Sequence, residues 1–175
     1  VIVIAIISFF LFKFVQNAPE SSILSVTAPV NNPFIYEFKI DGTLEESPLP
    51  DDSSSGYFWL QSGGLMTLSQ GTGKTNLNEL MLNSKWQKVY SVKNPVDTNN
   101  GFHPQNVFKL LTRSTWTDSQ AQIYFKVLKD NLDNSPNRNE KNGIYLVPRY
   151  VDENNYYYVG ISVNGYVTIY KKSSG

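Results

Sequence analysis

The sequence predicts an all-β fold, an antiparallel β-sandwich, on three observations. Tyr and Phe are frequent, 11 and 10 residues, in a chain that is also rich in Asn and Ser. That is the composition of pleated strands joined by tight turns. From Tyr57 onward, short alternating or apolar runs follow one another, punctuated by Gly, Pro and Asn. Helical periodicity is scarce, and only residues 76–84 are compatible with a helical turn. Short strands with turns between them and almost no helix signal lead to a sandwich or barrel.

Residues 1–16 begin with VIVIAIISFFLFKFV, apolar except for Ser8 and Lys13. The run approaches the roughly 20 apolar residues of a spanning helix, and Lys13 is placed to snorkel toward an interface. The expectation is a single N-terminal transmembrane helix, truncated upstream because the chain starts at Val. A secretory signal segment is the alternative, although Asn17-Ala18-Pro19 makes a poor cleavage site. On either reading the remainder lies outside the cytoplasm, membrane-anchored at a cell surface or in a periplasm. Residues 17–33, rich in Pro, Ser and Asn, read as a linker.

Residues 34–175 are the expected sandwich domain. Residues 34–40 alternate, with Phe34, Tyr36 and Phe38 on one face, and read as a strand. Residues 45–56 (EESPLPDDSSSG) read as an exposed acidic loop. Further strands are expected at 57–61, 65–69, 86–92, 107–113, 122–129, 143–150, 156–163 and 166–172. Asn164-Gly165 between the last two predicts a type I′ hairpin turn. There is no internal repeat. The chain stops three residues after a strand, so the natural protein is expected to continue past Gly175, with partner strands there.

Composition excludes several classes of function. No Cys rules out a disulfide scaffold, a thiol nucleophile and Cys-ligated metal. A single His rules out multi-His metal sites and disfavours a His-based triad. Fifteen Lys and Arg balance fifteen Asp and Glu, so nucleic acid is not an expected partner. Gly71-Thr72-Gly73-Lys74-Thr75 imitates a phosphate loop, but the position five before Gly73 is Leu68 and no long helix pattern follows. It reads as a turn between strands. The paired acids of a glycosidase are also missing. Glu37 is isolated on its strand, Glu45-Glu46 and Asp51-Asp52 lie in the acidic loop, and Asp152-Glu153 lie in a turn.

The remaining candidates point to binding. Asn137, Arg138, Asn139 and Asn142 share a loop, and Arg149 and Tyr150 end the strand that follows it. Amide and guanidinium groups pair with sugar hydroxyls, and aromatic faces such as Tyr156 stack on sugar rings. The plainer alternative is that the Asn residues cap turns and Arg149 pairs with Asp152. Strand alternation puts Tyr156 and Tyr158 on one face and Tyr157 on the other. Asp97-Thr98-Asn99-Asn100-Gly101 opens like a calcium loop, with Asp97 and Asn99 as oxygen ligands, but lacks a later bidentate Glu. An Asx-type turn is the alternative there, and Asp152, Asn154 and Asn155 make a second oxygen-rich loop of the same kind. His103 reads as a structural hydrogen-bonding residue, and Trp59, Trp86 and Trp116 as core.

Several of these features occur together. Asn142-Gly143 leads a strand, Arg149-Tyr150 closes it, a Tyr-rich strand starts at Asn155, and a hairpin at Gly165 feeds Lys171-Lys172. In this the stretch 97–172, and more loosely the region from Tyr57, resembles the concanavalin A-like lectin/glucanase superfamily of laminin G-like jelly rolls, as a membrane-anchored member. The resemblance implies a jelly roll whose partners are glycans, polysaccharides or extracellular proteins, often with a structural calcium. The expectation is a non-covalent carbohydrate-binding or adhesion module rather than an enzyme. Two alternatives stand beside it: a glycan hydrolase or lyase with part of its active site beyond residue 175, and a structural protein-interaction domain.

Overall fold

Nine regular elements follow one another in the computed structural model, which describes residues 34–116, 119–129 and 135–174. They are β1 (Gly42–Glu45), β2 (Phe58–Ser62), β3 (Leu65–Ser69), β4 (Thr72–Lys74), α1 (Lys85–Lys93), β5 (Lys109–Thr112), β6 (Gly143–Asp152), β7 (Asn155–Ser162) and β8 (Val167–Lys172). Two 3₁₀ turns, Pro50–Asp52 and Pro104–Val107, complete them. The strands form three antiparallel sheets, ordered β1-β3-β4, β2-β5 and β6-β7-β8. Strands in antiparallel sheets therefore dominate the described residues, as composition and patterning predict. No helix among the described residues is long and apolar enough to cross a membrane. The anchor and linker expected at 1–33 lie outside the described residues.

The core is gathered by the first two sheets, the helix and the segments that join them. Leu44, Leu60 and Met66 are buried together, with Phe38, Phe58, Leu68, Phe108 and Leu110 packed around them. A second cluster joins Leu80, Trp86 and Tyr90 to Leu65 and Val107. Gln61 is the extra residue of a bulge in β2, where Leu60 faces Leu110 and Ser62 faces Lys109. Such bulges re-aim a side chain. Here the Gln61 amide Nε2 donates to Tyr150 Oη at 2.6 Å and to Glu153 Oε1 at 3.3 Å, tying the last sheet to the body.

Several expectations need correction. Residues 86–92 form most of α1 rather than a strand. Trp, Val and Tyr favour strands as isolated residues, but Trp86, Gln87 and Tyr90 are buried at helical spacing, and tertiary packing decides. Residues 76–84 are not helical; Asn83 is left-handed at φ 66° and ends a turn before the helix. Residues 34–40 keep their alternation, with Phe34, Tyr36 and Phe38 half-buried against Tyr57 and Phe58. They form no ladder, and Phe38 at φ 49° leaves the extended region. Residues 122–129 are exposed throughout and belong to no strand. The strand expected at 107–113 is Lys109–Thr112, because Val107 closes a 3₁₀ turn.

The hairpin turns also differ from expectation. The β7–β8 connection is not type I′, since Gly165 is at φ 87° while Asn164 is not left-handed. Gly165 N–H donates to Ser162 C=O at 2.9 Å and Ser162 N–H to Tyr166 C=O at 3.0 Å. This is a three-residue loop whose glycine takes the left-handed position. Two left-handed centres occur instead in the β3–β4 hairpin, at Gln70-Gly71 with φ 51° and 73°. Of the phosphate-loop imitation only Gly71 belongs to that turn; Thr72–Lys74 form the paired strand β4, so the expected turn between strands covers only its start.

Candidate functional site

The residues singled out from the sequence fall in two places. Asn137, Arg138, Asn139 and Asn142 lie on the loop before β6, folded on itself. Asn142 Oδ1 accepts from Asn139 N–H at 2.6 Å, Asn139 Oδ1 accepts from Lys141 N–H at 2.9 Å, and Asn139 Nδ2 donates to Asn137 C=O at 2.8 Å. Arg138 N–H donates to Ser135 C=O at 3.0 Å. Asn139 and Asn142 brace the turn with their side chains, while the Asn137 amide reaches out to Asp97.

Asp97 is the hub of this loop. Its Oδ1 accepts from Ser135 Oγ at 2.7 Å and Asn137 Nδ2 at 2.8 Å, and its Oδ2 accepts from Asn94 Nδ2 at 3.0 Å. The Ser135 hydroxyl, followed by the Asn137 and Asn94 amides, holds the carboxyl below its ordinary value. A calcium ion needs converging oxygen lone pairs, whereas Asp97 is surrounded by N–H and O–H donors. Asn99, Asn100 and Gly101 are left-handed in succession, at φ 48°, 52° and 83°, and Asn99 is exposed. The donor set does not fit calcium. No cluster of three His, Cys, Asp or Glu suited to a metal occurs among the described residues.

The second place is the β6-β7-β8 sheet. Tyr156 pairs with Tyr150 and Lys172, while Tyr157 pairs with Arg149 and Lys171. Consecutive residues take opposite faces, so Arg149 is separated from Tyr150 and Tyr156. A bulge puts Val147 and Pro148 opposite a single β7 residue, which keeps this register.

One face is a tyrosine cluster. Tyr145, Tyr156, Tyr158 and Tyr170 have ring centroids 4.9–6.0 Å apart, and Tyr150 adjoins Tyr156 at 6.0 Å. Burial raises the phenols of Tyr150 and Tyr158, and the cluster is linked to the body through Gln61.

The other face carries Ile144, Leu146, Arg149, Val151, Tyr157, Val159, Ile161, Val167, Ile169 and Lys171 by alternation and register. Ile169 is 76% and Val151 68% exposed. An open cleft of about 250 Å³ lies at the Asn155 end of the sheet and draws on both faces, lined by Arg149, Val151, Tyr157 and Lys171 of the open face and by Asn155, Tyr156 and Lys172. Lys171 Nζ stands 5.9 Å from the Tyr157 ring centre. Asp152 does not pair with Arg149. It accepts from Asn154 N–H at 2.7 Å and Asn155 Nδ2 at 3.0 Å. Those bonds, led by the Asn155 amide, lower its carboxyl.

Arg149 and Tyr156 of the expected ligand set therefore line the cleft, together with Asn155, which the sequence offers only as part of an oxygen-rich loop, and with Tyr157, Lys171 and Lys172, which are outside that set. Only the observed three-residue loop, 163–165, sets Tyr157 opposite Lys171; the expected two-residue Asn164-Gly165 turn would set it opposite Lys172. His103 is buried, with Nε2 3.4 Å from Glu79 Oε1, its main-chain N–H on Thr98 C=O at 2.8 Å and its Nδ1 without a hydrogen-bond partner among the described residues. Trp86 is buried in the core, and Trp59 and Trp116 donate to Ser47 C=O and Thr112 Oγ1 at 2.9 and 3.0 Å.

Glu46 departs furthest from expectation. Placed in an exposed loop by its sequence, its side chain is 8% exposed and accepts from Tyr90 Oη, Gly64 N–H at 2.9 Å and Lys93 Nζ at 2.8 Å. Tyr90 Oη also accepts from Gly63 N–H at 2.8 Å, and burial raises its phenol strongly. Gly63 and Gly64 are left-handed at φ 112° and 79°. A Cβ on Gly64 would lie 3.1 Å from the Trp86 ring. The double glycine thus lets the β2–β3 bend present its two N–H groups to this buried pair. The network joins the buried Glu46 and Tyr90 to Lys93, whose side chain is 53% exposed. No family model matches the chain, and no curated protein or solved structure matches it either.

Proposed function

We propose that this chain is a carbohydrate-binding or adhesion module, tethered to a membrane by its N-terminal apolar segment and displayed outside the cytoplasm. In this reading the antiparallel sheets belong to a concanavalin A-like jelly roll, and recognition is non-covalent. The observation that carries it is the open cleft on β6-β7-β8, where an aromatic ring lies beside cationic side chains over exposed apolar surface. Sugar rings offer apolar C–H faces to such a ring and hydroxyls to the surrounding donors. A glycan array probed with the full 175-residue chain tests the proposal. Specific signals that are lost in Tyr157→Ala are the expected result. A blank array from folded protein would overturn it in favour of a protein-interaction role.

A further inference from the structure

Arg149, Tyr157 and Lys171 form one row across the sheet, directly opposite one another on β6, β7 and β8. Arg149 and Lys171 leave strands on either side of Tyr157, whose backbones are two strand spacings apart, about 9.5 Å. Neither has a carboxylate partner among the described residues. The acids nearest in sequence are occupied elsewhere: Asp152 holds Asn154 and Asn155, and Glu153 holds Gln61. Lys172 faces the other way, its Nζ on Glu153 C=O at 2.8 Å.

We infer that this row selects an anionic polysaccharide, one bearing carboxylate or sulfate groups on its sugars, and this rests on the carbohydrate reading above. A neutral glycan would use the ring and leave two uncompensated cations at its edges. An acidic one supplies a charge to each. The Arg149 guanidinium takes a carboxylate or sulfate through two parallel N–H bonds, Lys171 supplies a mobile point charge, and Tyr157 seats the sugar between them. A nucleic acid is disfavoured because its phosphates need a longer basic track, and the chain carries no net charge.

The test is calorimetric titration of the full chain with polygalacturonate, dextran sulfate and uncharged dextran. Single-stranded DNA and phosphatidylserine vesicles serve as non-glycan anions. The expected result is binding of an acidic polysaccharide at least about tenfold tighter than dextran, weakening with salt. Arg149→Gln and Lys171→Gln should each cost roughly tenfold, while Arg149→Lys loses less. The salt dependence of the unaltered chain needs no variant, so a folding defect cannot hide the outcome. Equal binding of dextran, unaffected by either Gln variant, would overturn the anionic selection and leave carbohydrate binding standing. No binding of any polysaccharide would overturn both. DNA or vesicles bound as tightly as the acidic polysaccharides would reduce the row to a general anion patch and overturn the inference.

Discussion

The body, residues 34–116, and the last sheet, β6-β7-β8, are built from similar residues but solve the burial problem differently. The body places Leu60 at 0% and Tyr90 at 1% exposure and gathers two apolar clusters. The sheet has the longest strands of the described residues, ten and eight residues in β6 and β7, yet Ser162 is its one fully buried side chain. A three-stranded sheet needs a covered face for stability. This sheet half-covers one face with its own tyrosines and leaves the other open. The body is thus the stable scaffold, and the sheet is the part with surface to offer.

Removing Leu60 gives the largest expected effect. Leu60→Ala should cost about 3 kcal/mol in urea unfolding, whereas Ile169→Ala, at 76% exposure, should change stability by less than about 0.5 kcal/mol. Equal losses would dissolve the contrast between the two regions. Next comes the buried carboxylate: Glu46→Ala leaves Tyr90 Oη and Gly64 N–H without their acceptor, for a loss of about 2–3 kcal/mol by the same assay.

The join between the regions is weaker. Asp97→Ala releases Ser135 and Asn137 and should cost about 1 kcal/mol. The Asp97 carboxyl is lowered in the folded chain, so its contribution is fully present above the unfolded value of about 3.9 and is lost as pH falls through the folded one. Stability followed by circular dichroism from pH 6 to 2 should therefore fall less steeply at the acid end in the variant. The smallest effect concerns residues 122–129, exposed and outside any strand. Brief trypsin treatment should cut first at Lys126 or Lys129, with no loss of the body's secondary structure. First cuts within α1 would place the weak point in the wrong region.

The same contrast governs what the sequence makes legible. Strands β3, β6, β7 and β8 stand out because each is a short apolar or alternating run bounded by turn residues. The helix does not, because its Trp, Val and Tyr are strand formers, and only contacts with Leu80 and Leu65, distant in sequence or on another element, make its buried stripe pay. Glu46 looks like one more loop acid, since its partners Tyr90, Lys93 and Gly64 are brought together by folding alone. In the candidate site, Arg149 and Tyr156 are visible as residue types suited to sugars. Tyr157 and Lys171 become visible only through cross-strand register, which also separates Tyr150 from Arg149. The Asn loop and Asp97 resemble a ligand site in composition, but their hydrogen bonds are already internal.

The central claim is that recognition lies on the open face of the last sheet. Amide hydrogen exchange of the full chain, with and without a bound polysaccharide, tests it most directly. The account predicts protection concentrated at Arg149 to Val151, Tyr157 and Lys171, with the 135–142 loop unchanged. Protection confined to that loop, or to the body, would contradict it.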